Sequence, residues 1–132
     1  MQTLPPSIQK YVEVWTQKRF EFLDSVLTSN HILHTGAQTI TSIDQIKKYV
    51  SERFNAFPDI QYQVIDCITQ DDKYCFLWKA SGTHKGTFMG IPPTLKTFNY
   101  DGVAVHKLTN EKISETWIYS NFYEMLEKLR TI

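Results

Sequence analysis

Cysteine is scarce. Cys67 and Cys75 are the only two in 132 residues, too few for a disulfide framework. They flank a turn between two strands that should pair, and with no export signal they read as reduced core thiols. An excess of either charge is missing too: 14 Lys and Arg balance 14 Asp and Glu, for a net charge of zero. That argues against a nucleic-acid surface, which needs a basic excess. No charge run or basic amphipathic helix points to a membrane surface, and no apolar run approaches the length of a membrane span. The first residues, Met1 to Pro6, have neither the cationic nor the apolar segment of a signal peptide, which implies a cytoplasmic protein. Histidines, cysteines and carboxylates do not cluster at the spacing of a metal site. There is no nucleophile elbow, phosphate loop or glycosidase-like carboxylate pair. No repeat, low-complexity stretch or linker divides the chain, so residues 1–132 read as one domain.

Aromatic residues are plentiful at 14%, within a hydrophobic share of 42%. That suffices for a packed core and leaves rings to line a pocket or an interface. Ile8, Tyr11, Val12 and Trp15 fall on one face of a helix. Pro5 and Pro6 suit its first turn, with Thr3 or Ser7 as cap. Phe20, Leu23, Val26 and Leu27 form a second short stripe, which Thr28-Ser29-Asn30 ends; His31 to Thr35 is a short strand. Ser42-Ile43-Asp44-Gln45 is a capping box. It opens a helix with Ile46, Tyr49, Val50, Phe54 and Phe57 on its apolar side, and Pro58 stops it.

From Ile60 the period moves towards two. Strands are predicted over Ile60–Thr69, Tyr74–Thr83, Thr97–Leu108 and Ile113–Ser120, and a last helix carries Phe122, Met125, Leu126 and Leu129. Asn110 tolerates positive φ in the turn before the fourth of these strands. Helices first and an antiparallel meander after them define an α+β fold. A curved sheet can wrap the N-terminal helices and leave a pocket, with Gly82, Gly86 and Gly90 as bend points.

A two-residue turn at Asn110-Glu111 pairs Lys112 with Thr109. Counting on, Glu115 falls opposite His106, Trp117 opposite Ala104 and Tyr119 opposite Gly102, with Asn121 near Tyr100, all on one face. That face is expected to look into the pocket. The alternative is that it buries its aromatics in a dimer interface, and a one-residue slip would exchange the faces.

Ala56-Phe57-Pro58-Asp59, Gly82-Thr83-His84-Lys85-Gly86, Gly90-Ile91-Pro92-Pro93-Thr94, Gly102-Val103-Ala104-Val105 and Lys112-Ile113-Ser114-Glu115-Thr116-Trp117 resemble, in order and spacing, the SnoaL-like branch of the nuclear-transport-factor-2-like superfamily, which includes polyketide cyclases. The resemblance implies a cone-shaped α+β barrel, a mostly apolar cavity, a homodimer built through the sheet, and chemistry without metal or cofactor. In the cyclases an aspartate four residues after the tryptophan is the acid/base of an aldol ring closure. Here that position is Asn121, whose amide cannot exchange a proton near neutral pH. Leu77 replaces an arginine common before the third-strand tryptophan, and Leu95 a glycine after Pro-Pro-Thr.

The candidate site residues follow. His106 and Glu115 form a catalytic base pair or a structural cross-strand pair. Asn121 is a ligand contact or the N-cap of the last helix. His34 faces the cavity or stands half-exposed on its strand. His84 contacts ligand or holds the Gly82–Gly86 bend, and His31, after a helix end, should be exposed. Trp78, Phe88, Trp117 and Tyr119 contact a flat, small hydrophobic carbonyl compound or pack the core.

Overall fold

The computed structural model describes residues 3–131. Met1 and Gln2, which open the stretch read as lacking a signal peptide, and Ile132 lie outside them. The described elements are α1 (Pro6–Thr16), a 3-10 turn at Phe20–Phe22, α2 (Leu23–Val26), β1 (Leu27–Thr35), β2 (Thr39–Ile40), α3 (Ile43–Ala56), β3 (Gln61–Gln70), β4 (Lys73–Thr83), β5 (Thr97–Thr109), β6 (Lys112–Ser120) and α4 (Phe122–Arg130). All six strands join one curved sheet in the order β2-β1-β6-β5-β4-β3. The α+β expectation holds, with one correction. The sheet is mixed, because β1 runs parallel to β6. A parallel pair needs a long crossover, and here everything from β2 to β5 lies between the two strands.

The helices form where the apolar stripes and stop signals place them. α1 buries Ile8, Tyr11 and Val14, with Pro6 in its first turn. Neither Thr3 nor Ser7 caps it: Pro5 holds the N-cap position, and Ser7 Oγ instead donates to the Glu111 carbonyl, 2.5 Å away. α3 has its capping bond, Gln45 N–H to Ser42 Oγ at 3.4 Å, and buries Ile46, Val50, Phe54 and Ala56. The second stripe splits between the 3-10 turn and α2. Thr28-Ser29-Asn30 does not end a helix but lies inside β1, which starts at Leu27. His31 is therefore a buried strand residue, 2% exposed, rather than a surface one. The concave sheet face and the helices enclose the core, in which Ile8, Phe57 and Ile113 have no exposed surface at all.

The hairpin β5–β6 decides which side chains see the interior. Asn110 and Glu111 sit at φ 51° and 68°, and Thr109 faces Lys112 across the expected two-residue turn. The ladder then breaks: Leu108 faces Ile113, but Lys107 faces Glu115. Ser114 is the extra residue of a β-bulge, its hydroxyl 2.8 Å from Thr109 Oγ1 and 3.3 Å from the Lys107 carbonyl. Beyond it His106 faces Thr116, Val105 faces Trp117 and Val103 faces Tyr119. One inserted residue thus moves Glu115, Trp117 and Tyr119 to the convex face and leaves His106 on the concave one. The two cysteines separate by ordinary strand alternation, with no bulge between them. Cys67 pairs with Phe76, while Cys75 pairs with Ile68, so the free thiols point to opposite faces, and both are only half-buried.

Candidate functional site

Between α1, α3 and the concave face lies a cavity of about 90 Å³. Tyr11, Val12 and Trp15 of α1 and Tyr49 and Arg53 of α3 form one wall. Tyr11/Trp15 and Tyr49/Arg53 are i, i+4 neighbours on helix faces packed against the sheet. Tyr62 of β3, Phe76 and Trp78 of β4, and Tyr100, Ala104 and His106 of β5 form the other. These side chains alternate along strands paired in register: Phe76 with Ala104, and Trp78 with Gly102. Gly102 has no room for a side chain. A Cβ there would stand 2.6 Å from the Tyr119 carbonyl and 2.7 Å from Trp78, so the indole lies directly on the backbone.

The lining is mostly aromatic, with a few placed polar groups. The Tyr62 and Tyr100 hydroxyls are 3.1 Å apart. Burial raises both phenols, Tyr62 well above the usual range and Tyr100 to about 12, so both stay protonated. One hydroxyl donates to the other, and the second proton is left for a ligand. The Arg53 guanidinium lies over the Tyr49 ring at 3.6 Å and near the Phe122 ring at 4.7 Å, while its Nη1 donates to the Tyr49 carbonyl at 3.1 Å. Among the described residues, no carboxylate lines the cavity.

His106 lies on the cavity wall contributed by β5, 2% exposed, with the Tyr11 ring against it at 4.5 Å. Its Nδ1 is 2.9 Å from Thr116 Oγ1, and the same hydroxyl is 3.0 Å from His31 Nε2. Burial pushes the imidazoles down, to about 3 for His106 and about 4 for His31. At neutral pH the site holds two uncharged histidines bridged by one threonine.

Of the residues singled out from sequence, His106 and Trp78 line the cavity. The others do not. Glu115 is not beside His106: the bulge turns it outward, where its Oε2 accepts from His34 Nε2 at 2.6 Å. His34 stacks on Trp117 with ring centroids 5.4 Å apart, so His34, Glu115 and Trp117 form a convex-face cluster. Tyr119 lies on that face too, 54% exposed. Phe88 is buried one layer back, between Phe57 and Phe122. His84 holds its loop: Nδ1 accepts from the Thr94 backbone N–H at 3.3 Å and lies 3.1 Å from Thr94 Oγ1. Asn121 occupies the N-cap position of α4 but forms no side-chain cap. Its Oδ1 accepts from the Asp101 N–H at 3.0 Å, and only its neighbours Ser120 and Phe122 reach the cavity. Sequence reasoning took Tyr11, Trp15 and Tyr49 for helix core and gave Arg53, Tyr62, Tyr100, Thr116 and His31 no site role. The i, i+4 pair Tyr49/Arg53 and the alternating strand tyrosines were the available signals.

A family model described as SnoaL-like polyketide cyclase matches residues 7–129. This chain belongs to the SnoaL-like polyketide cyclase family. Solved structures agree on the fold. A candidate SnoaL-like polyketide cyclase from Jannaschia sp. CCS1 is 14% identical, with a TM-score of 0.86 over 100% of this chain and 99% of that one. IdmH from Streptomyces antibioticus, a candidate polyketide cyclase, is 22% identical, with a TM-score of 0.79 over 95% and 96%. A protein of ketosteroid isomerase-like fold from Catenulispora acidiphila, solved with trimethylamine, is 14% identical, with a TM-score of 0.78 over 98% and 96%. A search of curated proteins finds no match. Among the described residues of this SnoaL-like chain, no group of three or more His, Cys, Asp or Glu could hold a metal ion, and no helix is long and apolar enough to cross a membrane.

Proposed function

We propose that this SnoaL-like protein holds a small hydrophobic carbonyl compound in its aromatic cavity. The observation that carries this reading is the Tyr62–Tyr100 hydroxyl pair, which offers one free phenolic proton inside walls of Tyr, Trp and Phe. A cavity of about 150 Å³ takes up benzene. This one is smaller, so a ring-sized ligand has to displace a lining side chain or extend past the exposed lining residues Thr16 and Gln63. Retention without turnover fits the site better than cyclisation by the family's aspartate. Asn121 stands at the aspartate's place after Trp117, its oxygen is engaged by Asp101, and among the described residues no carboxylate lines the cavity. Acetophenone is expected to bind about fivefold more tightly than ethylbenzene, and Tyr62→Phe with Tyr100→Phe to shrink the difference, since one hydrogen bond is worth about 1 kcal/mol. Titration of tryptophan fluorescence measures both; equal affinities for the two probes in the unaltered protein would sink the reading.

The convex face supports a homodimer through the sheet. Ile68, Leu77, Val103 and Tyr119 are exposed there at 58%, 37%, 37% and 54%, on neighbouring strands. Apolar side chains grouped on one face of a sheet, rather than scattered singly, mark a contact surface. Sedimentation at micromolar concentration is expected to show twice the chain mass, and Leu77→Asp with Val103→Asp to yield the monomer. A monomeric unaltered protein would contradict it.

A further inference from the structure

The structure assigns His106 a fixed tautomer, with Nε2–H available to the cavity and Nδ1 accepting from Thr116, so that the cavity selects its ligand by an accepting oxygen, a ketone or enolate, and not by an amine. The ligand part deepens the cavity reading above and rests on it; the tautomer does not.

The protons of the bridge decide the tautomer. Thr116 Oγ1 has one proton to give and lone pairs to receive, and it contacts one nitrogen of each imidazole, His31 Nε2 at 3.0 Å and His106 Nδ1 at 2.9 Å. Each neutral imidazole carries one N–H. Two tautomers for each imidazole give four arrangements. In two of them the His31 proton sits on Nδ1. That atom is buried and has no hydrogen-bond partner among the described residues, so a donor is orphaned. If both imidazoles donate to Thr116, the hydroxyl proton has no acceptor. In the fourth, His31 Nε2–H donates to Thr116 and Thr116 donates to His106 Nδ1: every proton of the bridge is used, a lone pair on His31 Nδ1 is left bare, and the His106 Nε2–H, which is not among the buried atoms without a partner, is left to the cavity that His106 lines. Buried unpaired N–H groups are rarer than under-used acceptors, so the fourth arrangement wins.

The consequence reaches the ligand. With its proton on Nε2, His106 donates, as do the Arg53 guanidinium, which has no acceptor atom, and the free phenol of the Tyr62–Tyr100 pair. Three donors and no carboxylate fit an electron-rich oxygen and repel a cationic amine. Thr116 and His31 are positioning residues: they act through His106.

The test is a long-range proton–nitrogen correlation spectrum of the ligand-free, 15N-labelled protein at pH 7. Expected are a pyridine-type Nδ1 and a pyrrole-type Nε2 for His106, with His31 also protonated at Nε2. Thr116→Val keeps the side-chain shape and removes the proton; it should replace the single His106 tautomer by a mixture, and Thr116→Ser should restore it. A protonated His106 Nδ1 in the unaltered protein overturns the assignment, as does a Thr116→Val spectrum that keeps the pure Nε2–H form. If Thr116→Val does not fold, the unaltered spectrum decides alone. The expected tautomer together with equal binding of acetophenone and ethylbenzene would refute the cavity reading and leave the bridge standing.

Discussion

Acid is expected to remove about 5 kcal/mol of stability between pH 7 and pH 4.5, through His31 and His106 alone. Unfolded, both imidazoles take up a proton near 6.5. Folded, burial holds them at about 4 and about 3. Well above pH 6.5 both are neutral in either state and contribute no pH dependence. As pH falls below 6.5 the unfolded chain binds two protons that the folded chain refuses, so stability drops until the folded values are passed. A domain of this size has roughly 5–15 kcal/mol in hand, so pH 4.5 brings it close to unfolding. Asp59 does not compete for this window. The hydrogen bonds from Thr83 lower its carboxyl below an already acidic ordinary value, so its effect starts further down. Urea midpoints at pH 7, 5.5 and 4.5 measure the loss, and His106→Gln should remove about half of it. A profile that stays flat from 6.5 to 4.5 would show that these imidazoles are not buried as described.

Phe57→Ala is expected to cost about 3–5 kcal/mol. The ring has no exposed surface and lies just past the end of α3, where its N–H still donates to the Arg53 carbonyl at 2.9 Å. Its centroid is 4.8 Å from Phe98, 5.4 Å from Phe88 and 5.8 Å from His84. One side chain therefore joins α3, β5 and the loop that His84 pins to Thr94. Removing it opens a void between parts that cannot collapse together, because the backbone is already close-packed: a Cβ on Gly86 would lie 2.6 Å from the Asn55 carbonyl. Guanidinium unfolding with an unchanged slope should report the loss, and a cost below about 1 kcal/mol would mean that the site relaxes around the missing ring.

Much of the fold was legible because local signals sufficed. The Ser42–Gln45 box, Pro58, the prolines before Ile8 and the Asn110 turn act within a few residues, and α1, α3 and the four long strands appear where those signals put them. The features that escaped depend on contacts distant in sequence. Leu27–Asn30 becomes strand because β6 lies alongside it, and no local cue in Thr28-Ser29-Asn30 announces that. The hairpin faces were exchanged because counting from a turn assumes an unbroken ladder. Both faces of β5 and β6 carry apolar side chains, so alternation could not expose the Ser114 bulge. His106 and Trp78 were found because they sit at positions whose inward direction survived or did not depend on that count. Arg53 and the tyrosines were hidden by a different ambiguity: along one helix face or strand, a cavity wall and a solid core have the same pattern.

The parallel pairing of β1 with β6 also sets an order of assembly. On a chain emerging N-terminus first, β4, β5 and β6 find their partners in the sequence in which they are made, each pairing with the strand before it. β1 is made first and has only the two-residue β2 beside it until β6 arrives. Its closure is the contact with the largest loop to pay for, and so comes late. Thr116 arrives with that last strand, and with it the bridge between His31 and His106. A nascent chain that has stalled before β6 therefore holds nearly all of the aromatic walls but not the group that sets the proton on His106, and the site becomes competent only as synthesis of the sheet is completed.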